Sequence, residues 1–168
     1  MKKDFSKIKL FAMDVDGTLT DGKIYIGNDG EVMKAFNAKD GLGIKLLIKK
    51  GIVPIIITGR RSKIVTRRCE EIGITVLYQG VRDKADILKN VMVKYDCTPE
   101  QTVYIGDDMN DLSAMQTAGI TFAPADCAAA LLPYVDFVLT QKSGDAPVRE
   151  AIDIILENRL TLSDYESI

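Results

Sequence analysis

Residues 10–20 read L-F-A-M-D-V-D-G-T-L-T, an apolar run that starts near Ile8, stops at two carboxylates, Asp14 and Asp16, and meets Gly17 at once. The pattern predicts a buried parallel strand over residues 8–15 whose carboxyl end opens into a loop. Open α/β sheets keep their ligands outside such strand ends. Two like charges one residue apart are costly to bury unless a cation or a proton is shared between them, so the expected occupant is a metal ion. A D-x-D-G string alone also fits a solvated turn, because Asp and Gly favour turns on backbone grounds. Later stretches of the chain separate the two readings.

The absence of histidine narrows the chemistry sharply. A Ser-His-Asp triad, a Cys-His pair, an H-E-x-x-H zinc site and a phosphohistidine are all excluded, which leaves carboxylates and lysines. With 22 Lys plus Arg against 24 Asp plus Glu, the net charge of -2 gives no global attraction for nucleic acid or an anionic membrane. Cys69, Cys97 and Cys127 are odd in number and lie outside any C-x-x-C, which argues against a disulfide framework or zinc cluster and for a reducing cytoplasm. No apolar stretch approaches the roughly 18 to 20 residues of a membrane span, and no secretion signal is read. At 168 residues and 46% apolar content, a single domain over 1–168 with a substantial core is expected.

Along the chain, two strand-like runs at 23–27 and 31–36 flank Asn28-Asp29-Gly30 and predict a β-hairpin, an insertion over about 22–36. Asp40 reads as the cap of a mostly buried helix that Gly51 stops, and an apolar strand at 53–57 then ends in Thr58-Gly59-Arg60-Arg61. Ser62 caps a helix that ends at Gly73, followed by a strand at 75–78 and a helix opened by Lys84 that runs to about Tyr95. Thr98-Pro99-Glu100-Gln101 supplies a capped turn before a strand at 103–105, which ends in Gly106-Asp107-Asp108-Met109-Asn110-Asp111. A helix to about Ala118, a strand at 120–123, a small helix at 128–132, a strand at 135–139 and a helix at 148–156 complete the series. Strands alternating with helices throughout give an α/β fold, a doubly wound parallel sheet with helices on both faces.

In such a sheet the strand ends share one edge, so Asp14, Asp16, Thr58, Lys84, Asp107 and Asp108 converge. Carboxylates for a hard, oxygen-seeking cation, a hydroxyl, a lysine and loop amides together describe a magnesium and phosphate site. Taken singly, Lys84 reads as an exposed helix-start lysine and Thr58 as a turn hydroxyl; their positions relative to Asp14 and Asp107 favour the site. These four motifs, D-x-D-G-T at 14–18, Thr58, Lys84 and G-D-D-x-x-D at 106–111, resemble the haloacid dehalogenase superfamily of aspartyl-phosphate phosphatases. The resemblance implies a Rossmann-like fold, with Asp14 as nucleophile and Asp16 as general acid and then base. It further implies magnesium on the Asp14 carboxylate, the Asp16 carbonyl and Asp107, with Thr58 and Lys84 on the phosphoryl oxygens and Asp108 and Asp111 as supporting acids.

Superfamily members with lids insert a cap domain between the first and second or the second and third motifs. Neither interval has room for one here, so the open site implies either a large substrate or cover from neighbouring subunits. The strings D-V-D-G-T-L-T-D-G, K-A-F-N-A-K-D-G-L-G-I, I-I-T-G-R-R-S, L-Y-Q-G-V-R-D-K and V-R-E resemble the capless tetrameric phosphatases of 3-deoxy-D-manno-octulosonate 8-phosphate, a lipopolysaccharide sugar acid. In that family the hairpin builds a barrel at the tetramer centre, which implies a homotetramer here. Ile24, Ile26, Val32 and Phe36 supply apolar side chains that want burial. Residues 142–147, K-S-G-D-A-P, depart from the glycine-rich loop of the family, which leaves its role as a substrate lid open. Nine-carbon sialic or deaminated sialic acid phosphates are the alternative substrates. A phosphoprotein phosphatase acting as a monomer and a non-catalytic subunit that binds a phosphorylated ligand are the alternatives of other kinds. Gly59 and Arg60 beside Thr58 are expected to meet the substrate, Arg60 gripping its carboxylate by a forked contact, with Arg68 and Arg149 as further candidates reaching from this or a neighbouring chain.

Overall fold

A computed structural model describes residues 3–166. The chain begins with β1 (Leu10–Met13), then a hairpin of β2 (Tyr25–Gly27) and β3 (Gly30–Met33), then α1 (Ala38–Lys49). Next come β4 (Val53–Thr58), α2 (Lys63–Ile72), β5 (Val76–Gln79) and α3 (Lys84–Lys94). After β6 (Thr102–Ile105) come the short α4 (Leu112–Met115), β7 (Ile120–Ala123), β8 (Phe137–Val138), α5 (Pro147–Ile155) and α6 (Leu162–Tyr165). The six-stranded sheet has the order β5-β4-β1-β6-β7-β8 and every pairing in it is parallel. The chain therefore winds outward from β1 in one direction, returns, and winds outward in the other, which makes β1 the switch point of the sheet.

β1 is buried along its whole length, because helices cover both faces of the sheet. Phe11 and Met13 face a core shared with Ile44 and Leu47 of α1, Val65 and Cys69 of α2 and Val148 and Ile152 of α5. Leu10 and Ala12 face the other core, with Leu88 and Val91 of α3, Tyr104 and Ala114. Alternation along a four-residue strand thus divides two hydrophobic layers, and the next residue, Asp14, stands where both layers end.

Several boundaries differ from those the sequence suggests. Asn37, not Asp40, caps α1, its side chain accepting the Lys39 N–H at 3.0 Å. An asparagine one residue before the first helical turn serves this role as well as an aspartate, and it leaves Asp40 inside the helix and 1% exposed. The helix expected to reach Ala118 is a 3-10 turn, Met109–Asp111, and the single turn of α4. It ends as the Thr117 N–H turns to the Ala114 carbonyl at 3.0 Å while the Thr117 hydroxyl donates to the Ser113 carbonyl, and farther on the Gly119 N–H is drawn off to the Pro99 carbonyl at 2.8 Å. The small helix near 128–132 is a 3-10 helix, Ala129–Tyr134. The last strand contracts to two residues, since the Asp136 carboxylate takes the Thr121 N–H at 3.0 Å where a ladder carbonyl would have been.

The hairpin stands out from the sheet. Its β2–β3 register closes at Gly27 opposite Gly30, with Asn28 and Asp29 as the two-residue loop. Phe36, just after it, packs on the core beneath the Arg68 guanidinium, 5.8 Å from the ring centre. Ile26 and Val32 remain 71% and 61% exposed.

Candidate active site

Parallel pairing sets the strand ends level: Met13 is opposite both Ile56 of β4 and Ile105 of β6, and Thr58 is opposite Gln79 of β5. The loops after these strands consequently open on one edge, where Asp14, Lys84, Asp107 and Asp111 stand together and Thr58 ends the neighbouring strand. Lys84 is the first residue of α3, placed by Asp83, whose side chain caps that helix on the Asp86 N–H at 3.0 Å. Its ammonium lies 3.0 Å from Asp14 Oδ2 and 2.6 Å from Asp111 Oδ1. Asp14, Lys84 and Asp111 are 4%, 3% and 0% exposed, so the three charges share one dry space.

Asp111 is already fully engaged. Its Oδ1 accepts from Lys84 and from the buried Tyr104 hydroxyl at 2.7 Å, and its Oδ2 accepts the Asp107 N–H at 3.1 Å. Asp14 and Asp107 are not. Oδ1 of Asp14 is buried with no hydrogen-bond partner, an arrangement that costs about 1–3 kcal/mol or more for a charged group unless something else satisfies it. Carboxylate oxygens of Asp14, Asp107 and Asp111 lie within 4.8 Å of one another. A hard cation fits this donor set, with Asp14 and Asp107 as the side chains free to hold it and Asp111 as the brace that orients them.

The electrostatics agree with the geometry. Burial, reinforced by Asp111, raises the Asp14 carboxyl to about 6 against the pull of Lys84. Burial, with Asp111, Asp14 and Asp108 adding to it, raises Asp107 to about 7. For Lys84, desolvation acts downward, but Asp14 and Asp111 outweigh it and the ammonium is held above its ordinary value. A cluster that raises its own carboxylates in this way is one that a divalent cation relieves.

Gly17 makes the close packing possible. Its backbone has φ of +90°, and a Cβ there would lie 2.0 Å from Asp107 Oδ2. The first motif and the acidic motif therefore touch through a residue that has no side chain.

Asp16 faces the hairpin instead of the lysine pocket. Its Oδ1 is bonded by Lys34 just beyond β3, and Arg60 Nε stands 3.7 Å from its Oδ2. Lys34 also pairs with Glu31 at 3.1 Å, and Glu31 accepts from the Ser62 hydroxyl. Lys34 was invisible as a site residue in the sequence, because a lone lysine leaving a hairpin reads as solvent-facing; its side chain is 2% exposed. Tyr104 was hidden in the same way inside an apolar strand.

The remaining candidates divide. Thr58, 3% exposed, ends β4 with its carbonyl taking the Val81 N–H at 3.1 Å, and exposed Gly59 and Arg60 come next at the rim. Asp108 is exposed and caps its own turn on the Met109 N–H at 2.7 Å. Arg68 and Arg149 are not among the strand-end groups. Arg68 lies against Phe36 and pairs with Glu71 at 3.0 Å. Arg149 pairs with Asp153 at 2.8 Å and gives its backbone N–H to Asp40. Their places on α2 and α5 turn both toward α1 within this subunit.

Comparison with known proteins gives this geometry its relatives. Residues 73–152 match the model of haloacid dehalogenase-like hydrolases. A 3-deoxy-D-manno-octulosonate 8-phosphate phosphatase of Yersinia pestis is 46% identical over 151 residues, which is 90% of this chain and 81% of that protein. The cobalt-bound phosphatase of Haemophilus influenzae superposes with a TM-score of 0.91 at 36% identity, over 96% of this chain and 98% of the other. The Moraxella catarrhalis enzyme, solved with magnesium ion, phosphate ion and KDO, superposes with a TM-score of 0.88 at 40% identity, over 91% and 88% of the two chains. The chain therefore belongs to the haloacid dehalogenase-like hydrolases and, among them, to the family of the 3-deoxy-D-manno-octulosonate 8-phosphate phosphatases.

Proposed function

We propose that this protein is a magnesium-dependent phosphomonoesterase that hydrolyses 3-deoxy-D-manno-octulosonate 8-phosphate to the free sugar acid and phosphate. The observation that carries the reading is the buried, unpartnered oxygen of Asp14 beside Lys84 and Asp107, in a chain of the same family as the Moraxella protein that holds magnesium, phosphate and KDO. When bound, magnesium supplies charge neutralisation for the phosphoryl oxygens and would be held by Asp14, Asp107 and the Asp16 carbonyl.

In this reading the Asp14 carboxylate attacks phosphorus. The bond between phosphorus and the sugar oxygen breaks, and Asp16 gives its proton to that departing oxygen. Water then attacks the aspartyl-phosphate and passes its proton to Asp16, and phosphate leaves as Asp14 is regenerated. Lys84 and Thr58 hold the phosphoryl oxygens throughout, while Asp111, fixed by Tyr104, keeps Lys84 aimed. Arg60, 47% exposed at the rim and only loosely paired with Asp16, is the group we assign to the substrate carboxylate.

We further propose a homotetramer in the cytoplasm. Support for assembly comes from Ile26, Val32 and Met33, which expose apolar surface on a hairpin too small to be stable without cover. Cys69, Cys97 and Cys127 are unpaired thiols, as a reducing compartment requires, and no helix among the described residues is long and apolar enough to cross a membrane.

Four measurements test these assignments. Asp14→Asn removes the nucleophile and is expected to abolish turnover while near-native circular dichroism is kept; substantial residual activity ends the role of Asp14. Arg60→Ala is expected to lower kcat/KM roughly ten- to a hundredfold on the eight-carbon acid phosphate and to spare p-nitrophenyl phosphate, which has no carboxylate. An equal fall on both, or wild-type preference for a nine-carbon or neutral sugar phosphate, defeats the carboxylate assignment. Magnesium must displace protons from carboxyls that titrate at about 6 and about 7, so its affinity falls as the pH is lowered through those values. The slope approaches roughly a hundredfold per pH unit once both carboxyls are protonated. Calorimetric titrations from about pH 8 to about pH 5 that return a constant affinity would falsify that linkage. Light scattering at micromolar concentration is expected to give four times the 18.5 kDa chain mass, and a fully active species of 18.5 kDa disproves the tetramer.

A further inference from the structure

The segment 140–147 lies against the loop that carries Asp14 and Asp16. The Ser143 hydroxyl donates to the Gly17 carbonyl, and the same hydroxyl lies 2.9 Å from Asp126 Oδ1, which also accepts the Ser143 N–H at 2.8 Å. One residue on, the Gly144 N–H donates to the Thr18 carbonyl at 3.2 Å. The approach is as close as a backbone allows: Gly144 has φ of +77°, and a Cβ there would lie 2.7 Å from the Asp21 nitrogen. Two consecutive carbonyls of the D-x-D-G-T turn are thus held by two consecutive residues from the other end of the chain.

The segment is itself anchored at three points. At its start, Glu150 of α5 accepts the Thr140 N–H at 3.0 Å and the Gln141 N–H at 2.9 Å. In its middle, the Asn37 side chain donates to the Gly144 carbonyl at 3.2 Å. At its end, Ala146, the residue before α5, offers no side-chain cap, and the buried Asp40 of α1 takes the Arg149 N–H at 2.7 Å in its place. A helix start without a local cap gains the most from such a distant carboxylate.

We infer that residues 140–147 form a fixed strap on the nucleophile loop and that Ser143 is a positioning residue, holding Asp14 and Asp16 in register with Lys84 through the Gly17 carbonyl. The glycine-poor K-S-G-D-A-P sequence suits this role, because a strap must not yield, whereas a lid must open. The inference rests on Asp14 and Asp16 being the reacting pair, and Asp14→Asn tests that separately.

The two bonds from the strap to the loop go to backbone carbonyls, so their loss is expected to act on turnover for every substrate alike. Ser143→Ala is expected to lower kcat about tenfold on both the octulosonate 8-phosphate and p-nitrophenyl phosphate, with KM unchanged, the size expected from a small misplacement of a reacting group. Ser143→Thr, which keeps the hydroxyl, is expected to restore most of that loss, and the melting temperature of Ser143→Ala should stay within about 2 °C of wild type. A rise in KM confined to the sugar-acid substrate would identify a lid and overturn the strap. Unchanged kcat would overturn it as well. So would a large fall in melting temperature with normal turnover in the cold, which is the signature of a merely structural contact. An active Asp14→Asn would overturn the nucleophile assignment and the positioning role with it, whereas an inactive Asp14→Asn beside a Ser143→Ala of normal kcat overturns the strap alone.

Discussion

The buried ammonium of Lys84 is the interaction on which the site depends. It lies within 3.0 Å of Asp14 and 2.6 Å of Asp111, and it is the one cation within salt-bridge distance of those two carboxylates among the described residues. Removing one partner from a buried charge cluster is far more damaging than never having built it. Lys84 is also the first residue of α3, so the orientation of that helix and the charge balance of the pocket are fixed by the same residue. Tyr104 extends the arrangement into the core, since its hydroxyl fixes Asp111, and Asp111 in turn fixes both the lysine and the backbone of Asp107.

Around this cluster the fold has a simple division of labour. β1 lies at the switch point of the sheet, flanked by β4 and β6, and therefore has little freedom to shift. Residues 14–21 leave its carboxyl end as a loop in which Asp14 and Asp16 turn to opposite sides, one toward Lys84 and the other toward Lys34 and Arg60. The first partner comes from the sheet and its helices, and the second from the hairpin and the rim. Two carboxylates two positions apart thus stand in different electrostatic surroundings, one against a buried lysine and the other against the hairpin lysine and the rim arginine.

Much of this was legible in the residues. The apolar run into Asp14 declared a central strand, and the alternation of helices with strands declared a parallel sheet. The strand ends then gathered Asp14, Asp16, Thr58, Lys84, Asp107 and Asp108 on one edge without reference to any coordinate, while Asp111 came only from the family resemblance. Contacts made by side chains from distant segments were less legible. Lys34 meets Asp16 across a hairpin turn, and Asp40 looked like a helix cap because capping chemistry is local while its actual partner, Arg149, is 109 residues away. Arg68 and Arg149 were weaker candidates for the substrate, reaching from this subunit or a neighbouring one, and the single subunit shows only their contacts within it. Charge on a helix gives no azimuth, and packing against Phe36 and α1 decides where they point. Short elements failed for a related reason, since Asp136 and Gly119 divert backbone hydrogen bonds that propensity assumes will go to a helix or ladder.

The contraction of β8 to two residues also matters for how copies of this chain can meet. An exposed sheet edge is a row of unpaired amides and carbonyls, and a long one recruits strands from other molecules. With Phe137 and Val138 as its whole length, the β8 margin offers too few groups to seed such growth, and Lys3 paired with Asp136 at 3.0 Å places a charged pair beside it. That margin of the sheet is closed to extension. The apolar surface of the β2–β3 hairpin belongs to a separate two-stranded ribbon, so contacts made there can cover hydrophobic side chains without inviting the main sheet to polymerise.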